Sequence, residues 1–484
     1  MSDVWGRTAP TRSAPRLTAP RGLPLAYGSL FALAVALRLM LCWANPPENA
    51  FDDHFEPIRM IMKTGAIPAK DACFECYHPP VFYWTSAMIG KAARALGLSD
   101  AGTMKLLQLL VCIAGILTVA VCYPIVQRFP LPDRAKLLAF GTVCLLPRHI
   151  YMSAMHGNDT LAYLLAALAV YLALVMFERN APPAIVVAVG AVVTVAIFTK
   201  YTSVALLPAM AVALLRAWRG AAIAPHRRLL IAALGTVVLP SLLLAGSMAG
   251  NLQRYGTVFP WNVSIYDPSL HRPRDPGGID FFSFKPWEKV DDLVLVPGEL
   301  HSFWTLVYSG MWFDTEPYFV SYLDANEPWW ERYYAWYRGE GPYPGRNPSI
   351  SRLTRITGAG FILLGLVPAA LVLLGLGLAL SGAWRRLLPD TPAMSVALSL
   401  LVSLLAFNVA GLIALTLRLP VYNAMKPSYL LTATPSFMIS LALGAAWCGR
   451  SETWRRILGV AFGILFALAI VHIVHVSVAI LGAS

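Results

Sequence analysis

About eleven stretches of the sequence are apolar over a length that can cross a lipid bilayer. They lie near residues 23–43, 104–127, 137–155, 160–178, 183–198, 201–216, 228–249, 356–381, 393–415, 428–447 and 457–481. A helix needs roughly 20 apolar residues to span the hydrocarbon layer, and inside that layer every backbone N–H and C=O must find a partner within the protein. The chain is therefore read as an all-α integral membrane protein with about 11 spanning helices, within a range of about 10–13. Composition agrees: 57% of its 484 residues are hydrophobic and 13% charged, against about 25% charged in soluble domains.

The net charge of +12 is not a nucleic-acid signal. The basic residues fall in short linkers, which is the pattern that orients membrane helices with their positive loops inside. Segment 80–96 decides the topology. It is short and interrupted by Lys91 and Arg94. If it lies flat on the outer surface, the linkers with Arg128, Arg134, Lys136, Arg179, Arg216, Arg219, Arg227, Arg228, Arg385, Arg386, Arg450, Arg455 and Arg456 all fall inside. If it spans, they flip and the rule fails. The expectation is an interfacial helix, with the N-terminus in and the C-terminus out.

Four units follow: a disordered cytoplasmic tail at 1–22, a catalytic transmembrane module at 23–249 that includes outer loop 44–103, a long outer loop at 250–355, and C-terminal helices at 356–484. The first apolar segment is longer than the 7–15 residues typical of a signal peptide and is read as an uncleaved helix. No internal repeat is apparent. The long loop holds Trp287, Trp304, Trp312, Trp329, Trp330 and Trp336, which suit a membrane-interface belt and leave open a sugar-stacking role for some.

The unusual polar residues gather on the outer side. Asp52 and Asp53 follow the first helix, where a carboxylate beside hydrocarbon must be solvated, paired or used. One can cap the helix that follows; the other suits a general base on an acceptor hydroxyl. His156, Asn158 and Asp159 occupy a tight turn between two spans, where Asp159 either caps the next helix or faces the same cavity to hold a cation or the acceptor. Lys200 and Lys426 read as snorkelling lysines or, with His78 and Arg254, as a phosphate site. Cys73 and Cys76 share a polar loop with His78 and leave a disulfide, free thiols and a zinc half-site open. The remaining cysteines, Cys42, Cys112, Cys122, Cys144 and Cys448, lie in or beside apolar helices as small hydrophobes.

In this order the residues resemble the GT-C class of integral-membrane glycosyltransferases. The likeness is to the dolichyl-phosphate-mannose protein mannosyltransferase type and the lipid A aminoarabinose transferases. The matching elements are Asp52-Asp53, then His78-Pro-Pro followed by aromatics to Trp84. Next come Pro147 to Asn158-Asp159, Thr199-Lys200, and Lys426-Pro-Ser-Tyr-Leu-Leu431 with Pro435. The acid pair departs from the family's Asp-Glu, and His78 stands where the aminoarabinose enzymes carry lysine.

The resemblance implies an inverting transfer of a sugar from a polyprenyl-phosphate donor to an acceptor hydroxyl at the outer face. Asp52 or Asp53 would serve as base, and Lys200, Lys426, His78 and Arg254 would meet the donor phosphate. Partners would be a polyprenyl-phosphate-linked sugar, an acceptor protein, lipid or polysaccharide, and membrane lipid, without nucleic acid. Some relatives bind a divalent cation such as Mg or Mn near the acidic loops; if one binds here, Asp53 and Asp159 would be its ligands, and the spacing of the residues by itself assigns no cofactor. The implied setting is a bacterial inner membrane. The rival reading is a transporter or flippase of a lipid-linked or anionic substrate.

Overall fold

The computed structural model describes residues 22–48, 54–220, 224–260, 279–291, 293–294, 302–315, 318–319, 351–418 and 425–483. Among them every regular element is a helix. The N-terminal half comprises α1 (Gly22–Ala44), α2 (Phe55–Thr64), α3 (Val81–Ala95), α4 (Asp100–Gln127), α5 (Asp133–Leu145), α6 (Pro147–Ala154), α7 (Asn158–Glu178), α8 (Pro183–Thr199), α9 (Leu206–Arg219), α10 (His226–Ala233) and α11 (Leu239–Tyr255). A π turn, Leu234–Val238, joins α10 to α11 as one rod. Then follow α12 (Glu288–Asp291), α13 (Phe303–Trp312), α14 (Arg352–Leu364), α15 (Leu366–Ser381), α16 (Pro392–Arg418), α17 (Thr434–Cys448) and α18 (Glu452–Ala483).

Among the described residues, ten helical rods are long and apolar enough to cross a membrane, and α8 is a shorter apolar helix beside them. The chain is a multi-pass membrane protein, as its hydropathy requires. Segment 80–96 folds as α3, 15 residues long, about 22 Å at 1.5 Å per residue and too short to span. It packs with α2 and α4 around Phe55, Ile58, Ile61, Phe82, Tyr83, Ala87, Leu107 and Val111. Residues 54–95 thus form one element, α2 and α3 packed on the first turns of α4. The rod ending in α11 continues to Tyr255, a turn and a half beyond the apolar stretch that ends near residue 249.

Pro147 ends α5: Leu146 is extended and the proline opens α6, because a proline ring disfavours helical backbone in the residue before it. The carbonyls freed at this break meet Arg38, a fully buried arginine of α1. Its guanidinium donates to the carbonyl oxygens of Cys144 at 2.8 Å and Ala34 at 3.1 Å, and lies 2.9 Å from His149 Nδ1. A charge at this depth persists only where such acceptors surround it.

In the C-terminal half, α15 and α17 approach backbone to backbone. A Cβ at Gly375 would lie 1.8 Å from the Ser440 carbonyl oxygen, and one at Gly444 would lie 2.1 Å from that of Leu371. The contact is reciprocal, each glycine meeting the carbonyl four residues before the other, and it is the small-residue packing expected between helices in lipid. Helix α16 lies on α9, and α18 on α1 and α14.

The Gly375 contact is testable. Gly375→Leu should lower the thermal midpoint in detergent severely, since overpacking costs about 1–3 kcal/mol or more. Gly377→Leu, where a Cβ meets nothing within 4 Å, should move it little.

Candidate functional site

The site is built where α1, α4, α6, α7 and α8 end together. Lys105 Nζ donates to the carbonyl oxygens of Cys42 (2.6 Å), Trp43 (3.0 Å) and Asn45 (2.9 Å), the last turn of α1 and its exit. Gln108 and Asn45 both donate to Ala154 O, at 2.7 and 2.9 Å. The chain leaving α1 is thereby fixed beside the end of α6. It is fixed again at His54, the N-cap position of α2. A Cβ on Gly157 would stand 3.1 Å from the His54 ring, and Phe55 stacks on His156 at 4.0 Å. Asp52 and Asp53 lie outside the described residues. Their described flanks are anchored at the 154–157 turn.

Two residues beyond that turn lies a buried ion pair. Lys200 Nζ is 2.6 Å from Asp159 Oδ2 and 3.2 Å from Asn158 Oδ1, with both charged residues 5% exposed. Tyr163 donates to Asp159 Oδ1 at 3.3 Å and to Ser428 O at 2.9 Å. Lys200 sits 5.2 Å from the centre of the Tyr429 ring. The helix break at Lys200, extended between α8 and the 3-10 turn Tyr201–Ala205, lets the side chain reach across to α7. Asp159 does not cap α7; no side-chain cap is made there.

Beside this pair stand two clusters. Lys70 Nζ donates to Tyr201 OH at 3.2 Å and Tyr77 O at 3.1 Å, and its backbone N–H donates to Tyr255 OH at 3.0 Å. The second is centred on Glu75, buried at 2% exposure: its Oε2 is 2.9 Å from His78 Nε2 and 3.8 Å from His54 Nδ1, and His54 Nδ1 is 2.7 Å from Tyr83 OH. Cys73 and Cys76 form a disulfide around this acid, with Cα atoms 5.1 Å apart. The disulfide alternative for the two cysteines is the one observed.

The structure thus brings His156, Asn158, Asp159 and Lys200 together and sets His78 against His54 through Glu75. Lys426 stands at the start of the 3-10 turn Pro427–Ala433, which packs on α7; its Nζ is 3.3 Å from Tyr318 OH. Arg254 is exposed at the end of α11, joined to the rest through Tyr255 and Lys70. Sequence reasoning passed over Glu75, Lys70, Tyr83, Tyr163 and Tyr201. Glu75 stood between the two cysteines, in a segment weighed only for its sulfurs; nothing marked Lys70 among the other charges of its loop. Among the described residues, no three His, Cys, Asp or Glu side chains converge to hold a metal. Asp159 has both oxygens engaged by Lys200 and Tyr163, and Asp53 lies outside the described residues.

His156 differs from its neighbours. It is 3% exposed, between Phe55 and Phe82, and among the described residues neither ring nitrogen has a hydrogen-bond partner. Burial, aided by the nearby His54, holds its pKa well below the ordinary histidine value. The ring is therefore neutral in the folded protein.

A family model described as dolichyl-phosphate-mannose-protein mannosyltransferase matches residues 77–243, about a third of the chain. Among curated proteins none matches. The crystal structure of the Archaeoglobus fulgidus oligosaccharyltransferase in the apo form is similar over 94% of this chain and 56% of its own, with a TM-score of 0.51 at 14% identity. The same archaeal enzyme with an inhibitory peptide and a dolichol-phosphate gives a TM-score of 0.49 at 13% identity, over 96% of this chain and 56% of that one. The ArnT structure from Cupriavidus metallidurans bound to undecaprenyl phosphate gives a TM-score of 0.34 at 16% identity, over 87% and 78%. The chain spans a little over half the length of the archaeal enzyme and shares its fold. The resemblance is borne out as far as the mannosyltransferase model over 77–243 and the shared fold reach.

Two measurements probe the site. Breaking a buried pair by removing one partner costs about 3–5 kcal/mol, so Lys200→Met or Asp159→Leu alone should destabilise strongly, while the double variant should recover most of the thermal midpoint. For His156, the unfolded chain binds a proton near pH 6.5 that the folded ring refuses, so stability falls as pH drops below about 6.5, by up to about 1.4 kcal/mol per pH unit. His156→Phe should remove one proton's share of the slope in this part of the profile of thermal midpoint against pH.

Proposed function

We propose that the chain is an inverting glycosyltransferase that moves a sugar from a polyprenyl-phosphate donor to an acceptor hydroxyl. The observation that carries this reading is the convergence at one end of the bundle: a buried lysine held by Asp159 and Asn158, a second lysine beside it, and the anchored flanks of an acid pair. The match of 77–243 to a mannosyltransferase family model supports it, since that stretch contains His78, Asp159 and Lys200.

In this mechanism Asp52 or Asp53 takes the proton from the acceptor hydroxyl. The oxygen attacks the anomeric carbon from the face opposite the phosphate, the bond between that carbon and the phosphate oxygen breaks, and configuration inverts. Polyprenyl phosphate leaves carrying the electron pair. Its charge is met by Lys200, with Lys426, His78, Arg254 and Lys70 around it, an electrostatic term that is usually the largest in such chemistry. An ammonium has three N–H donors. Lys200 spends two on Asp159 and Asn158, which orient it and leave one for a phosphate oxygen. Asn158, Asp159 and His156 border the acceptor side.

The acceptor is a protein, lipid or polysaccharide. The site opens to the outer face of a bacterial inner membrane, a placement supported by the gathering of basic linkers at the other end. There Arg128 pairs with Glu178 at 3.1 Å and Lys136 with Asp133 at 2.8 Å, separated from Asp159 by the length of α7, about 30 Å.

The test is transfer of labelled sugar from a polyprenyl-phosphate donor by protein in lipid nanodiscs. Asp52→Asn and Asp53→Asn should be made singly and together. Loss of the base should lower the rate about 10²–10⁴-fold with donor binding retained. A double variant that folds and transfers at the normal rate overturns the assignment. A wild type that moves intact donor across vesicles without transfer favours the flippase alternative.

A further inference from the structure

A buried ring wanted only for packing is served by phenylalanine, since a hydroxyl costs free energy to bury unless it is bonded. Tyr163, on the second turn of α7, is 1% exposed. Its hydroxyl has one hydrogen to donate and directs it between acceptors from the two halves of the bundle. They are Asp159 Oδ1 at 3.3 Å and the Ser428 carbonyl oxygen at 2.9 Å. Asp159 holds Lys200. Ser428 is the second residue of the 3-10 turn Pro427–Ala433, and Lys426 opens that turn. Within it the Tyr429 N–H donates to the Lys426 carbonyl at 3.2 Å, and Lys200 Nζ stands 5.2 Å from the centre of the Tyr429 ring. The turn also presses on α13, where a Cβ at Gly310 would lie 3.0 Å from Pro427. One phenol thus ties the lysine at the end of α8 to the turn that carries the second lysine.

We propose that Tyr163 is a positioning residue for the phosphate site: by holding Asp159 and the Ser428 carbonyl on one hydroxyl, it sets the spacing between Lys200 and Lys426 so that both cations meet one phosphate. Tyr163 acts through the two lysines. The inference rests on the glycosyltransferase reading for its rate measurement, though not for its binding one. The phosphodiester of a polyprenyl-phosphate sugar carries one negative charge, and the departing monoester approaches two. Correct spacing therefore counts most once the bond to the anomeric carbon has broken. An interaction that strengthens as the reaction proceeds raises kcat more than it lowers KM. Loss of the Tyr163 hydroxyl should accordingly fall on kcat and on binding of the monoester, and only slightly on donor KM.

The experiment compares wild type, Tyr163→Phe, Lys426→Gln and the double variant, each as the full chain in lipid nanodiscs. Three quantities are read: kcat and donor KM for transfer from a polyprenyl-phosphate sugar, the apparent Kd for undecaprenyl phosphate titrated into the discs, and the thermal midpoint. Tyr163→Phe keeps the ring and removes only the hydroxyl. It should lower kcat about 10–100-fold, the range for loss of a supporting contact or a misplacement of about 1 Å. Binding of undecaprenyl phosphate should weaken about tenfold, while donor KM changes less than about threefold. In the Lys426→Gln background the same substitution should cost at least about threefold less, because coupled sites are non-additive while independent damage multiplies. That coupling in the Kd of a wild type that transfers no sugar supports the role of Tyr163 and overturns the glycosyltransferase reading. A wild type that transfers sugar, with kcat and Kd unchanged in Tyr163→Phe, overturns the role of Tyr163 alone. So do losses that multiply in the double variant alongside a lowered thermal midpoint, the mark of a structural role.

Discussion

An ammonium and a carboxylate 2.6 Å apart, each nearly sealed from solvent, hold one end of this helical bundle together. Neither charge is tolerable there alone. Lys200 is the residue at which α8 stops, and Asp159 lies in the first turn of α7. Their attraction fixes two helix ends that lipid contacts alone would leave free to slide, since apolar helix faces gain little by choosing one another over lipid tails. Through Tyr163 the same pair reaches Ser428 on the turn before α17, so one interaction ties N- and C-terminal halves of the bundle.

Much of the fold was legible because the bilayer permits so few alternatives. Hydropathy located the spans, and the placement of arginines separated α3 from them. The helix break at Pro147 falls inside 137–155, which reads as one span in the sequence. What could not be read was direction in three dimensions. Lys200 in sequence is a lone base in apolar surroundings, equally a snorkelling residue or a ligand; only the folded chain puts Asp159 opposite it. Asp159 is an apt capping residue, yet its oxygens go to Lys200 and Tyr163 because a buried ammonium outcompetes a backbone N–H for them.

The same limit explains Glu75. Two cysteines three apart are a statement about sulfur when read as letters, and the residue between them looks incidental. Its burial arises from the 3-10 turn and from the packing of α2 on α3, neither of which a pattern of residue types encodes. Arg38 is the matching case in the apolar core: in sequence it is a single charge in a span, and its meaning depends on a break in a helix more than 100 residues away.

The grip of Lys105 on the end of α1 has an electrostatic consequence. Aligned peptide dipoles leave roughly half a negative charge at a helix C-terminus. Helix α1 directs that pole toward the end of the bundle where Asn45 meets Ala154 and where Asp159 lies buried. Left bare, it would add its negative potential to that of the buried carboxylate. An ammonium shared among the carbonyls of Cys42, Trp43 and Asn45 offsets this pole at its source. The field at this end of the bundle is then set by its side chains rather than by the scaffold that carries them.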